Sequence, residues 1–212
     1  MPDPNGRRTP PPAPYLAEGR RTALRRFTEA DAAEFTARAR ESRAHHRPWL
    51  FPPERADAYA AYTGTLARDP SREGFLVVER GAGGADGVGG ERGAAGAGGA
   101  AGPDGAIAGF ININNIVLGG FRCGALGYGA FAHAAGRGLM SEALGLVMDQ
   151  AFGPLGLHRL EANIQPGNAA SIALVRRAGF RLEGFSPDFL LIDGVWRDHE
   201  RWAITAPAAG IS

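Results

Sequence analysis

The residues best placed to do chemistry stand at a glycine turn. The stretch His133-Ala134-Ala135-Gly136-Arg137-Gly138-Leu139-Met140-Ser141-Glu142 follows an apolar run over 125–132 that reads as a strand. Beyond the turn, Leu139, Ala143, Leu144, Val147, Met148 and Ala151 recur at helical spacing and predict a helix with one apolar face. Strand, glycine turn and helix N-terminus together make an anion seat. Glycines let the backbone approach a ligand closely, the first helical N–H groups lack partners, and the helix dipole favours negative charge. The chemistry implied is the cradling of a pyrophosphate. An ordinary steric turn fits the same residues. So does a nicotinamide dinucleotide site, since Gly136-x-Gly138-x-x-Ser141 departs from that fingerprint only by serine at the third glycine.

Other chemistry-bearing residues are scattered. His45 and His46 are adjacent, with no third ligand spaced to join them, so no metal site is expected. Trp49 and Phe51, in a prolyl-aromatic loop over 45–53, could line a groove or pin that loop to the core. Cys123 is the sole cysteine; it excludes an internal disulfide and reads as a small buried hydrophobe. Glu142 lies in the first turn of the predicted helix, where it offsets the dipole.

Composition narrows the function classes. The chain has 212 residues and 44% hydrophobic content, enough for one domain with a full core. Its net charge is +1, which gives no electrostatic case for direct nucleic-acid binding. All 23 basic residues are arginine. No long apolar run suggests a leader or a membrane span, so a cytoplasmic protein is expected.

The elements that must position the turn follow from pattern. Residues 1–19 form a proline-rich arm, expected to be disordered. A strand is expected over 21–27, then a helix over 28–43 with Thr28 as N-cap and Asp31 as its capping-box partner. A second helix over 54–68 and a strand over 74–79 come next. Residues 81–103 are almost all glycine and alanine and read as a disordered insertion, with a flexible tail over 206–212. Strands over 106–117 and 121–131 form a hairpin that delivers the chain to the glycine turn. After the helix come a strand over 158–164, a helix capped by Asn168 over 168–178, and a hairpin over 189–204 with Gly194 as its turn. A dinucleotide domain puts its glycine turn early and follows it with several βα units. Here an antiparallel meander precedes the turn and one crossover follows, which counts against a nicotinamide cofactor.

This order of elements, with His133-x-x-Gly136-x-Gly138, resembles the GNAT superfamily of acetyl-CoA-dependent N-acetyltransferases. Leu126-Gly127-Tyr128, Gly136 to Ala143, Asn168-x-x-Ser171 with Gly179-Phe180, and Leu190 to His199 together look like its RimJ/RimL group, ribosomal-protein N-acetyltransferases. The resemblance spans 20–205 apart from the insertion. It implies an α/β fold with a mixed, mostly antiparallel sheet of about seven strands, about four helices, and strands that splay at the acetyl-CoA site.

Position by position, the resemblance implies that backbone groups of Phe131, Ala132 and His133 hold the pantetheine arm. The amides of Gly136, Arg137, Gly138, Leu139, Met140 and Ser141 would seat the pyrophosphate, and the Asn168 side chain would bind the cofactor arm. Ser171 would stand near the thioester sulfur as acid for the departing thiolate. His133 replaces the Gln or Arg common at the first signature position and could add charge there. Val175 stands where many members carry a tyrosine acid. Glu161 is the strand carboxylate nearest by topology for a base. Trp49, Asn112, Asn115 and Tyr128 are expected at the acceptor groove.

The implied reaction is acetylation of the N-terminal α-amine of a protein, a ribosomal protein beginning with alanine, by direct attack and with no metal. An α-amine has a pKa of about 7.7 to 8.0, so a sizeable fraction is neutral at pH 7 without a strong base. A small-molecule amine acceptor, another acyl donor such as succinyl-CoA, and a non-catalytic acyl-CoA-binding module on the ribosome stay open. So does a monomer or a homodimer.

Overall fold

The computed structural model describes residues 15–81 and 105–207. The arm over 1–14, the insertion over 82–104 and the tail over 208–212 lie outside the described residues, and with them the expectations made for those segments.

The chain folds around one eight-stranded sheet. Its strands are β1 (Ala17–Glu18), β2 (Thr22–Arg25), β3 (Glu73–Glu79), β4 (Ile107–Val117), β5 (Cys123–Ala130), β6 (Arg159–Ile164), β7 (Arg181–Ile192) and β8 (Val195–Thr205). They lie side by side in the order β1-β2-β3-β4-β5-β6-β8-β7. The helices are α1 (Ala32–Glu41), α2 (Arg43–His46), α3 (Ala56–Arg68), α4 (Leu139–Phe152) and α5 (Ala169–Arg177). Neighbouring strands are antiparallel except β5 and β6, which run parallel because α4 carries the chain back between them.

Both faces of the sheet are covered at its middle strands, while the β7–β8 end is largely exposed. In β3 the alternation sends Phe75 and Val77 to the face under α4 and α5, where Leu139, Ala143, Leu144 and Val147 pack. Leu76 and Val78 face the other way, against Phe35, Tyr59, Phe110 and Phe131. A strand buried on both faces reads as an unbroken apolar run, as Phe75-Leu76-Val77-Val78 does. The apolar stripe expected on α4 is the buried one, except that Met148 is only half buried.

Several expectations shift. Among the described residues the strands number eight against about seven expected, because β1 pairs with β2 inside the segment expected as arm. The helices described number five against about four, because α2 opens the prolyl-aromatic loop. The first long helix starts later than Thr28: a 3-10 turn over Glu29–Asp31 precedes α1. The expected capping box of Thr28 and Asp31 is present at this turn, the Asp31 carboxylate accepting from both the Thr28 N–H and hydroxyl at 2.8 Å. The last hairpin begins at Arg181 rather than 189. Gly184, Pro187 and Asp188 look like strand breakers, yet β7 is an edge strand and takes them up where its register against β8 shifts. Among the described residues no helix is long and apolar enough to cross a membrane.

Candidate active site

The site is made by a pairing that stops. β5 and β6 pair only over Cys123–Leu126 and Arg159–Ala162. From Gly127 onward β5 has β4 on one side and no strand on the other. A cleft of about 680 Å³ opens there, with Tyr128, Gly129 and Ala130 on one wall and Asn168, Ser171 and Leu174 of the α5 segment on another. Gly136, Gly138, Met140 and Ser141 close its end, and His46, Trp49 and Leu50 form its lip. Trp49 spans two walls. A Cβ at Gly167, in the turn before α5, would stand 3.0 Å from its ring.

The glycine turn has the geometry of an anion seat. Gly136 and Gly138 have φ of +72° and +79°, left-handed values that side chains disfavour. At both, a Cβ would meet open space. The Glu142 N–H donates to the Gly138 carbonyl at 3.2 Å, the first bond of the α4 ladder. The six amides from Gly136 to Ser141 have no acceptor among the described residues. Unpartnered donors, a helix N-terminus and empty space in front fit the phosphates of a nucleotide thioester. The Arg137 side chain turns away from the cleft and pairs with Glu79 of β3, one Nη donating at 2.8 Å. Leu139 is fully buried and packs into the core under α4.

On the opposite wall the Asn168 Oδ1 accepts the Ser171 N–H at 3.1 Å, capping α5 and fixing Ser171 one turn in. The Tyr128 oxygen is buried with no hydrogen-bond partner. Burial pushes its pKa up to about 12. Val175 is fully buried in the apolar core and offers no proton.

Four groups of expected site residues stand elsewhere. Phe131 belongs to the core, and its N–H donates to the Ala108 carbonyl at 2.9 Å. The Ala132 N–H donates to the Ser42 hydroxyl at 2.9 Å. Both amides are therefore engaged inside the fold, and Tyr128 to Ala130 line the cleft in their place. His133 is off the cleft, and burial with the nearby Arg38 guanidinium pushes its imidazole down, so it adds no charge at pH 7. Glu161 points into a different hollow, beside Glu183 and Ser186. There it accepts from Arg159 at 3.0 Å and Arg201 at 3.1 Å, the ion-paired glutamate of a sheet face rather than a base at the cleft. Asn112 is buried under α3 and donates to the Tyr62 hydroxyl, while Asn115 is exposed where β4 bulges.

Among the cleft residues outside the expected set is a buried histidine. His46 is 2% exposed, and its Nε2 lies 2.7 Å from the Ala130 carbonyl. A carbonyl only accepts, so Nε2 carries the proton, and Nδ1 is left unpartnered. Burial holds the imidazole below its usual pKa and hence neutral. Adjacent histidines suggest only metal ligation; the sequence signal for this position is Pro48, which follows α2 and leaves His46 as its last residue. Among the described residues no three His, Cys, Asp or Glu side chains converge as metal ligands.

The profile of the Acetyltransferase (GNAT) domain matches residues 21–181, which take in β2 to α5 and the whole cleft. The chain belongs to the GNAT acetyltransferase family. Its sheet with the splayed β5 and β6 is the GNAT fold. The "[Ribosomal protein uS5]-alanine N-acetyltransferase" of Escherichia coli is 43% identical over 101 residues, 48% of this chain and 52% of that protein. The chain thus spans about half the length of the curated relatives it matches. Mycobacterium smegmatis RimJ, solved in complex with CoA-disulfide, superposes with a TM-score of 0.71 at 27% identity over 87% of this chain and 82% of that one. Spermidine N-acetyltransferase from Vibrio cholerae, in complex with CoA and spermine, shares the fold at a TM-score of 0.66 and 17% identity over 88% and 96%.

Proposed function

We propose that this protein transfers the acetyl group of acetyl-CoA to the N-terminal α-amine of a protein, a ribosomal protein beginning with alanine, by direct attack of the amine on the thioester. The observation that carries the reading is the glycine turn from Gly136 to Ser141, whose amides have no acceptor among the described residues and whose Gly136, Gly138, Met140 and Ser141 line the end of a cleft between parted strands. The acceptor is inferred from the 43% identity to the uS5-alanine enzyme.

Acetyl-CoA supplies the activated acyl group; the chain supplies place and polarity. The amides of the glycine turn hold the diphosphate. The open edge of β5 at Tyr128 to Ala130 and the capped head of α5 flank the arm that leads to the thioester, so the reacting carbon is set between β5 and α5. Holding both reactants there lowers the entropic part of the barrier. Among the described residues no carboxylate lines the cleft. An α-amine needs none, since roughly a tenth of it is neutral at pH 7. A lysine at about 10.4 would need a strong base, and a polycation would favour acidic walls. Cys123 stands at the far end of β5, buried, and burial pushes its thiol up, away from a nucleophile's range.

Arg177 is the exposed cation of the cleft, with no ion pair among the described residues. Arg177→Gln is expected to weaken acetyl-CoA binding about threefold to tenfold at low salt, a surface-charge effect of roughly 1 kcal/mol. Calorimetric titration at two ionic strengths checks it; the loss shrinks at high salt because the charge is screened.

The function is tested with purified protein, acetyl-CoA and two acceptors, an alanine-initiated peptide and spermidine, by following free thiol. Thiol release with the peptide is the expected result. Release with spermidine alone overturns the N-terminal reading, and binding without release with either leaves a non-catalytic module. Succinyl-CoA in the same assay is expected to be the poorer donor.

A further inference from the structure

Two hydroxyls stand together in the cleft wall, those of Tyr128 and Ser171. The Tyr128 oxygen is buried without a hydrogen bond of full geometry, and the Ser171 side chain is its polar neighbour. The backbone of Ser171 is fixed by Asn168. Buried polar atoms are almost always satisfied, so a buried hydroxyl left short of a full bond in the wall of a functional cleft points to the neighbour that completes it. The neighbouring position that could carry a proton, Val175, is apolar.

We infer that Tyr128 is a positioning residue for the acyl transfer: its O–H donates to the Ser171 oxygen, which turns the Ser171 proton toward the departing sulfur. The inference rests on the acetyl-transfer reading above. The tyrosine hangs from β5 past the point where β6 leaves it, and the serine from the first turn of α5, so the two span the parted strands. Burial keeps the tyrosine protonated at any working pH, so its O–H stays available to donate. A hydroxyl that accepts one hydrogen bond is a stronger donor in the next, so Tyr128 sharpens what Ser171 offers the sulfur. In the step served, a C–N bond forms and the C–S bond breaks. The amine loses one proton and the sulfur gains one, and the two hydroxyls keep their own protons while stabilising the sulfur's charge.

The test is a double-mutant cycle of Tyr128→Phe and Ser171→Ala, with kcat, KM for acetyl-CoA and melting temperature measured for each. Tyr128→Phe is expected to lower kcat about tenfold with KM and melting temperature little changed, because the group its hydroxyl addresses is the Ser171 side chain in the cleft wall and not the packed core. The double variant is expected within about twofold of Ser171→Ala, since the tyrosine acts through the serine. A full kcat in Tyr128→Phe, or losses that multiply, overturns the coupling while leaving acetyl transfer intact. An unchanged kcat in Ser171→Ala overturns the serine's role itself, and no thiol release from the unaltered protein overturns the underlying reading.

Discussion

Replacing Gly138 with aspartate is expected to weaken acetyl-CoA binding at least a hundredfold while leaving the fold intact. Gly138 is the N-cap of α4 at φ +79°. Nothing stands within 4 Å of where its Cβ would project, so a side chain is not excluded by packing. It enters the space in front of the free amides and brings a negative charge to the place proposed for the diphosphate. A hundredfold loss corresponds to about 2.8 kcal/mol, within reach of a like-charge contact added to a blocked set of charge-assisted hydrogen bonds. Strain at positive φ has to be separated from this. Gly194, in the turn between β7 and β8, has φ +75° and the same open space. Gly194→Asp is therefore expected to cost similar stability and no affinity. Melting curves and acetyl-CoA titration of the two variants check the pair. Equal affinities would move the diphosphate away from the turn.

The second large effect is on stability. Asp31 closes a buried junction between β2 and α1. Its carboxylate takes Arg25 in a two-pronged pair at 2.6 and 2.8 Å, and both donors of Thr28. Its side chain is 8% exposed. Burial alone would raise the carboxyl, but the Arg25 guanidinium and the Thr28 donors outweigh it and hold it below the usual carboxylate range. Asp31→Asn removes the charge and leaves a buried guanidinium undercompensated, which typically costs about 3 kcal/mol. For a domain of this size that lowers the melting temperature by roughly 6–12 °C. The pH dependence has a definite sign. A depressed carboxyl stabilises fully above its unfolded value of about 3.9, and the contribution is lost as pH falls through the lower folded value. The gap between parent and variant is thus expected to be full at pH 7 and to close below about pH 4. Denaturant titrations at several pH values measure it; a gap that stays constant would assign the loss to packing instead of charge.

What the chain spells out locally, the sequence made legible. The glycine turn, the apolar face of α4 and the Asn168 cap each depend on residues within a few positions of one another, and each stands where expected. What depends on distant partners was not legible. Strand parity puts Glu161 on a face of β6, but nothing near it reveals Arg201, forty positions on, as its neighbour across to β8. Asn112 alternates correctly as a polar strand residue, yet Tyr62 of α3 claims it. The engagement of the Ala132 amide by Ser42 and of His46 by Ala130 joins the segment around α2 to the end of β5, a contact that no local periodicity encodes. Edge position decided β7, whose Gly184 and Pro187 would break an inner strand but are tolerated where one side of the ladder is open.

The most direct test of the function is a mass-spectrometric comparison of protein N-termini in the source organism with and without this protein. The account predicts that a ribosomal protein beginning with alanine is acetylated in the parent and carries a free α-amine in its absence, with the Gly138→Asp variant failing to restore the acetyl group. An unchanged set of N-termini, alongside an amine metabolite that loses its acetyl form, would contradict it.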